Sequence, residues 1–133
     1  LQAAILIEKL KIFPDELIKR DDIANIYSSG LTDKYIVPKL SKDIISSWAQ
    51  YTLISENRDK IIHYLKEKLI PTAIYYPKPL SKQIGYNHYP SVSTGTPVSH
   101  FLADRVFSIP MHPYMEHKQA ENIVSILNNF DDS

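Results

Sequence analysis

The sequence predicts an α/β protein of two layers, in which helices pack on one small sheet. Apolar residues recur at steps of three and four near the N-terminus, which is typical of a helix that buries one face. Between residues 48 and 76, a strand pattern, a helix pattern and a second strand pattern follow one another. The length of 133 residues suits one hydrophobic core, with room for an appendage. We therefore expect a single core and no internal repeat.

Residues 1–27 are predicted to be helical. The apolar residues that share one face of this helix are Ala3, Leu6, Leu10, Phe13 and Leu17. Pro14 interrupts the pattern, and because proline fits the first turn of a helix, we expect a new or kinked helix to begin there. Gly30 is expected to end the segment, since glycine readily adopts the left-handed conformation of a helix C-terminus.

The middle of the chain has strand, helix and strand character in turn. A short extended piece is predicted at 35–37, and a half-buried strand at 48–54 has one face made by Ala49, Tyr51 and Leu53. Ser55 is expected to cap the following helix, whose apolar stripe consists of Ile61, Ile62, Leu65 and Leu69. Strand character returns at 72–76.

The remaining segments are a long irregular loop and two further helices. Residues 77–95 are rich in proline and aromatic residues, and loops of this kind often carry function. Thr96 and Pro97 predict a helix start, with a buried side made by Val98, Phe101, Leu102 and Val106. A short strand is predicted at 107–109. The last helix has an apolar side of Ala120, Ile123, Val124 and Leu127, and a polar tail follows at 128–133.

The composition excludes several classes of function. Fifteen basic residues balance fifteen acidic ones, so we expect neither a nucleic-acid partner nor binding to an acidic membrane. The longest apolar run, residues 3–7, is far shorter than a membrane span. Cysteine is absent from the sequence, which excludes disulfides, thiolate zinc sites and cysteine nucleophiles. This agrees with a reducing compartment, and we expect a cytoplasmic protein.

Motifs for metal and nucleotide chemistry are missing. His112 and His117 lie five residues apart, which does not match the spacing of a helical zinc pair, so we expect no metal site. The sequence contains no G-x-S-x-G, P-loop or G-x-G-x-x-G motif. Adjacent carboxylates are expected on solvated helix faces or in the tail, and they are Asp15 with Glu16, Asp21 with Asp22, and Asp131 with Asp132.

The segment 75–86 is the strongest candidate for a binding site. It combines tyrosine rings, two lysines, a hydroxyl and an amide within twelve residues, a set that suits a polar, ring-shaped, phosphorylated ligand. Taken alone, the segment has a simpler interpretation, in which its tyrosines only cover the edge of a sheet.

Five segments in a fixed order point to a family. They are Leu1-Gln2-Ala3-Ala4-Ile5-Leu6, Ala49-Gln50-Tyr51-Thr52, Asn57-Arg58-Asp59, residues 70–80 and residues 105–114. Together they resemble the C-terminal third of the DegT/DnrJ/EryC1/StrS family, the aminotransferases that use pyridoxal phosphate and act on nucleotide sugars. The resemblance extends from Leu1 to about Leu127.

The resemblance implies the small C-terminal domain of the fold type I aspartate-aminotransferase fold, with a long linking helix at its N-terminus. Residues 1–30 would link to a large domain that lies upstream, and residues 31–133 would form the small domain. In the family, the lysine that forms the Schiff base and most other cofactor ligands precede the segment that resembles Leu1. We therefore assign no catalytic or cofactor-binding residue here, and we expect the chain alone to be inactive.

The resemblance further implies transfer of an amino group, with glutamate as donor and 2-oxoglutarate as product, to a keto sugar on a nucleoside diphosphate. The parent protein would be a homodimer that serves the synthesis of a cell-surface polysaccharide or another glycan. The residues expected to bind the nucleotide sugar are Tyr75, Tyr76, Lys78, Ser81 and Gln83, with His112 and Tyr114 as further candidates. Arg105 is expected to tie the last helix to a strand.

Two positions depart from the family pattern. Ser81 stands where many relatives have histidine, and Leu69 stands where relatives often have glycine, so the preceding helix must end without its usual permissive residue. The alternative function is a noncatalytic α/β protein-interaction module that binds a partner through the apolar stripe of the first helix.

Overall fold

The computed structural model describes residues 1–131. The α/β class is confirmed, because helices pack around a small antiparallel sheet. The elements in chain order are α1 (Gln2–Gly30), β1 (Tyr51–Ile54), α2 (Arg58–Glu67), a 3₁₀ turn (Leu80–Lys82), α3 (Pro97–Ala103), β2 (Val106–Ile109) and α4 (His117–Asn128). Asp132 and Ser133, in the predicted polar tail, lie outside the described residues. Within residues 1–131, no helix has both the length and the hydropathy needed to cross a membrane.

The sheet consists of β1 and β2, which pair antiparallel. Leu53 lies opposite Phe107 and Tyr51 lies opposite Ile109, so these four buried side chains share one face. α4 contacts both α1 and α2, and α2 contacts β2. The helices and this sheet face therefore enclose one hydrophobic core.

One predicted strand and one predicted extended piece are reduced to single bridges. Ala73 exchanges two backbone hydrogen bonds with Ser108, at 3.1 and 2.7 Å, on the open edge of β2. Residues 72–76 do not form the predicted strand, because Pro71 and Pro77 on either side lack the N–H that would extend the pairing. The extended piece predicted at 35–37 likewise has one bridge, between Ile36 and Ile54.

The predicted strand at 48–54 is shorter than expected. Trp48 has a φ of +44°, which turns the chain, and Ala49 is exposed instead of lying on the buried face. Side chains of α1 hold this turn, since the Trp48 indole N–H donates to Asp21 at 2.8 Å and Arg20 donates to the Trp48 carbonyl at 2.9 Å. Regular pairing therefore begins only at Tyr51.

α1 is continuous through Pro14, so of the two predicted alternatives, a new helix or a kinked one, the new helix is wrong. A proline removes one backbone hydrogen bond of a helix, but the turns before and after it can still form their own hydrogen bonds. Beyond Pro14, α1 joins the core. The Tyr27 and Tyr51 rings lie 5.0 Å apart, and the Tyr27 hydroxyl donates to the Pro110 carbonyl at 2.7 Å. Burial raises the pKa of the Tyr27 hydroxyl.

Before Pro14, α1 is exposed. Leu6 and Leu10 are 59% and 64% exposed, and of the predicted stripe only Leu17 is partly buried. The apolar stripe of the first helix is therefore present in the sequence, but its N-terminal half is largely exposed in the structure.

Gly30 has a different role from the one predicted. It belongs to α1, and the residue at the helix end, Leu31, has an extended φ of −74°. A Cβ atom at Gly30 would lie 2.9 Å from Cγ1 of Val124 on α4. Glycine is therefore required here for the close approach of two helices and not for a left-handed turn.

The start of α2 differs from the prediction as well. Asn57, not Ser55, occupies the N-cap position of the helix. Ser55 is buried, and its hydroxyl accepts a hydrogen bond from the Asn57 N–H at 3.3 Å.

For α3 the predicted helix start is confirmed, with Thr96 at the N-cap and Pro97 in the first turn. Two residues of its predicted buried side, Val98 and Phe101, are exposed.

The end of α2 is a left-handed turn with leucine at its centre. Leu69 has a φ of +59°, the Leu69 N–H donates to the Lys66 carbonyl at 3.0 Å, and the Ile70 N–H donates to the Leu65 carbonyl at 2.9 Å. These two bonds form a Schellman motif, whose central position favours glycine. Leu69 is 90% exposed and does not contribute to the apolar stripe.

We expect Leu69→Gly to raise the free energy of unfolding by about 0.5–1 kcal/mol, because it removes the cost of a side chain in the left-handed region while giving up almost no buried surface. Urea unfolding measures the change. Leu69→Ala is the matched control, since alanine keeps the Cβ atom and should show no comparable gain. A Leu69→Gly protein that is less stable than wild type would contradict this interpretation of the turn.

Candidate functional site

A cavity of about 450 Å³ lies between the segment 75–83 and α3, and we call it the loop cleft. Four of the predicted binding residues, Tyr75, Tyr76, Lys78 and Gln83, line one side of it. The opposite side is formed by Ser99, Leu102 and Ala103 of α3 and by Val106 at the start of β2. The cleft therefore offers polar groups on one wall and an apolar surface on the other, as small-molecule sites often do.

The polar wall is braced within the loop. The Tyr75 and Tyr76 rings meet edge to face with centroids 6.2 Å apart, across a cis peptide bond. The Gln83 side-chain amide donates to the Lys78 carbonyl at 3.4 Å. Pro77 and Pro79 flank Lys78 and fix the backbone angle φ at both positions. Lys78 therefore projects from a restrained backbone into the cleft.

Ser81 lies outside the loop cleft. Its hydroxyl oxygen is 2.8 Å from Nε2 of His100, a residue of α3. Together with Tyr86, Tyr89 and Pro90, Ser81 lines a neighbouring cavity of about 320 Å³, which we call the aromatic cavity.

His112 and Tyr114 lie in a third place. They line a groove of about 680 Å³ against α1, which we call the helix groove, together with Leu6, Leu10 and Phe13. The His112 ring accepts a hydrogen bond from the Tyr114 N–H at 3.2 Å. The seven predicted binding residues are thus divided, with four in the loop cleft, Ser81 in the aromatic cavity and two in the helix groove.

The floor of the helix groove contains a buried carboxylate. Glu16 was expected on a solvated surface, but it is only 5% exposed, and both the Lys9 ammonium and the Tyr114 hydroxyl donate to it. The hydrogen bond from Lys9 is the largest cause that lowers the pKa of the Glu16 carboxyl, and the hydrogen bond from Tyr114 is the second. The same contact with Glu16 raises the pKa of Lys9.

The lowered pKa of Glu16 predicts how stability depends on pH. Ionised Glu16 stabilises the fold above the pKa of an unfolded glutamate, about 4.3, and this contribution is lost as the pH falls through the lower folded-state pKa. We therefore expect Glu16→Gln to be less stable than wild type at pH 7, with a difference that shrinks in acid. Thermal unfolding between pH 2.5 and pH 7 measures this. Asp15→Asn, at the exposed neighbouring position, is the control, and a Glu16→Gln difference that does not change with pH would contradict the pairing.

Arg105 has other partners than those expected. Its guanidinium donates to Glu56 at 2.8 Å and lies 4.1 Å from the centre of the Phe101 ring. It therefore ties the turn between α3 and β2 to the segment before α2, and not to the last helix. The hydrogen bond from Arg105 lowers the pKa of Glu56.

Some residues of the site were not predicted from the sequence. Ser99 lines the loop cleft from α3, and Gln50 and Thr72 share a smaller cavity of about 250 Å³ with Tyr75. Gln50 stands in one of the five ordered segments, which was a usable signal. For Ser99 no local pattern exists, because its position depends on how α3 packs against the loop.

The loop cleft by itself lacks the pair of side chains that a pyridoxal phosphate site requires. Such a site needs a lysine in the cavity beside a carboxylate that can pair with the ring nitrogen. Every lysine of the chain is exposed, and the loop cleft, which contains Lys78, has no carboxylate among its lining residues. Residues 1–131 also contain no group of three or more histidine and acidic side chains that could hold a metal ion.

The fold defines an α/β domain whose proline-framed loop borders a cleft beside α3, and its relatives are sugar aminotransferases. The chain matches the DegT/DnrJ/EryC1/StrS aminotransferase family over residues 1–128, and it belongs to that family. The predicted resemblance is confirmed.

Individual relatives agree with this assignment. A UDP-2-acetamido-2-deoxy-3-oxo-D-glucuronate aminotransferase of Pseudomonas aeruginosa is 38% identical over 97% of this chain and 35% of its own length. A DegT DnrJ EryC1 StrS aminotransferase from Brucella abortus has a TM-score of 0.94 and 43% identity, and it covers 99% of this chain and 35% of its own. The structure of S. venezuelae DesV in complex with a ketimine intermediate has a TM-score of 0.88 and 27% identity, and it covers 96% of this chain and 35% of its own. The chain thus has the fold of these enzymes and spans about 35% of their length.

Proposed function

We propose that this chain is the C-terminal part of a pyridoxal-phosphate-dependent aminotransferase that moves an amino group from glutamate to a keto sugar carried by a nucleoside diphosphate. Membership of the family supports the reaction class. The structural observation that carries the proposal is the loop cleft, where Tyr75, Tyr76, Lys78 and Gln83 converge opposite α3. We place the reaction in the cytoplasm, in the synthesis of a cell-surface polysaccharide or another glycan.

The loop cleft would bind and orient the sugar nucleotide. The Lys78 ammonium provides a positive charge for the diphosphate. The tyrosine hydroxyls and the Gln83 amide provide donors and acceptors for sugar hydroxyls. Leu102 and Val106 on the opposite wall exclude water from one side of the ligand, which strengthens the polar contacts. The chain thus contributes substrate positioning.

The cofactor belongs, in this proposal, to the remaining part of a longer protein. Pyridoxal phosphate acts there as the electron sink of the reaction. We expect the 133-residue chain mixed with the cofactor to develop no stoichiometric visible absorption band that borohydride fixes on one lysine. Labelling of Lys78 in this experiment would show that the cofactor site had been placed wrongly.

The exposed half of α1 predicts self-association. Leu6, Leu10 and Phe13 are exposed, and exposed apolar side chains that lie together mark interaction surfaces. In the parent protein we propose that a further domain and a second subunit cover them. We expect light scattering to show oligomers of the chain at high concentration. The variant Leu6→Glu with Leu10→Glu should be monomeric, whereas Ile45→Glu, an exposed position elsewhere, should associate as wild type does. A clean wild-type monomer would contradict this prediction.

The exposed half of α1 is also the observation that favours the second candidate, a noncatalytic interaction module. An assay of the full-length gene product decides between the two. We expect formation of 2-oxoglutarate from glutamate in the presence of a UDP- or dTDP-linked keto sugar, and no formation without the sugar. A folded, cofactor-loaded protein that is inactive with both nucleotides would favour the module.

A further inference from the structure

Two walls of the loop cleft are joined by one side-chain hydrogen bond. Leu80 and Gln83 belong to the loop wall, and Ser99 belongs to the α3 wall. The residues that follow Leu80 and Ser99 in sequence are Ser81 and His100, and the Ser81 hydroxyl lies 2.8 Å from His100 Nε2. Among the hydrogen bonds of residues 1–131, this is the one that connects the segment 77–95 to α3.

The position of this bond defines the end of the cleft. Leu80 lines both the loop cleft and the aromatic cavity, so the 3₁₀ turn separates the two. The backbone bonds of that turn, from the Lys82 N–H to the Pro79 carbonyl at 2.9 Å and from the Gln83 N–H to the Leu80 carbonyl at 3.0 Å, hold it together internally. They do not attach it to α3. The Ser81–His100 bond provides that attachment.

The bond does not depend on one protonation state of the imidazole. A neutral His100 can accept from the Ser81 hydroxyl through Nε2, and an imidazole that carries a proton on Nε2 can donate to the Ser81 oxygen. Ser81 and His100 can therefore hold the loop against α3 whether or not His100 Nε2 carries a proton.

We infer that Ser81 and His100 form a positioning pair, which fixes the 3₁₀ turn on α3 and thereby sets the width of the loop cleft and its affinity for a nucleoside diphosphate. This inference rests on the proposed function. Ser81 in this arrangement acts through His100 and not by touching the ligand. Both residues then determine the affinity of the cleft without lining it.

The test measures binding of UDP and dTDP to the full-length protein by calorimetry. Ser81→Ala and His100→Phe remove the bond, whereas Ser81→Thr and His100→Gln retain a group that can form it. We expect the first two variants to bind about three- to tenfold more weakly, and the last two to bind within about twofold of wild type. His63→Phe is the matched control, because His63 is an exposed helical histidine remote in sequence from the loop.

Two further measurements separate positioning from general stability. The thermal midpoint should stay within about 2 °C of wild type in all variants, since the pair is partly exposed. The double variant Ser81→Ala with His100→Phe should bind no more weakly than the weaker single variant, because both substitutions remove the same bond. Equal affinity of all variants and wild type, or additive losses in the double variant, would overturn the inference. Failure of folded wild type to bind either nucleotide would instead overturn the proposed function.

Discussion

Lys78→Ala in the full-length protein is expected to raise the KM for the keto-sugar nucleotide by about 5- to 150-fold, which corresponds to the loss of about 1–3 kcal/mol of charge-assisted binding. Lys78 is the cation that lines the loop cleft, and Pro77 and Pro79 restrain the backbone on both sides of it. The KM for glutamate should change little, because the expected contact is with the diphosphate of the sugar nucleotide. Steady-state kinetics with both substrates measure the two effects.

Lys82→Ala is the matched control for this prediction. Lys82 belongs to the same loop and is also exposed, but it does not line the cleft. We expect it to leave the KM for the sugar nucleotide almost unchanged. Tyr76→Phe, which removes only a hydroxyl, should raise that KM by a smaller factor than Lys78→Ala. If Lys78→Ala lowers the thermal midpoint while both KM values stay at wild type, the loop is structural and the proposed site is wrong.

Local sequence patterns were sufficient to predict the helices whose buried residues recur at a regular helical spacing. α4 buries Ala120, Ile123, Val124 and Leu127, as its sequence predicts. The strands were harder, because pairing depends on distant partners. β2 forms since β1 lies beside it, whereas residues 72–76 have strand character but only Ala73 pairs.

The polar wall of the loop cleft could also be predicted from a local pattern in the sequence. Tyr75, Tyr76, Lys78 and Gln83 lie close together in sequence, so a compact loop brings them to one wall. Ser81 lies within the same run, but the 3₁₀ turn directs it to His100 on α3. His112 and Tyr114 are separated from the loop by α3 and β2, and their positions depend on α1.

Burial of Glu16 could not be predicted from the sequence at all. The residues that surround it include Lys9, seven positions before it, and Tyr114, ninety-eight positions after it. A carboxylate in an amphipathic helix is normally solvated. Only the packing of the 110–115 loop on α1 reveals that this one is covered and satisfied by two donors.

Gly30→Ala is expected to destabilise the protein by about 1–2 kcal/mol. Alanine in a helix is normally favoured over glycine by about 0.5–1 kcal/mol, so the intrinsic preference would stabilise this variant. The new Cβ atom, however, would lie 2.9 Å from Val124 Cγ1, and relieving that overlap in a packed interface costs about 1–3 kcal/mol. We expect the overlap to exceed the intrinsic gain, and urea unfolding gives the net value.

A second substitution isolates the cause of that loss. In a Val124→Ala background the methyl groups that meet the new Cβ atom are absent, so Gly30→Ala should become neutral or stabilising by up to about 1 kcal/mol, and the double-mutant cycle should show a favourable coupling. Gly85→Ala is the control for an added methyl group that meets no packed neighbour, because nothing beyond the adjacent residues lies within 4 Å of its Cβ position. If Gly30→Ala destabilises equally in both backgrounds, the close approach of α1 and α4 is not the reason for glycine at this position.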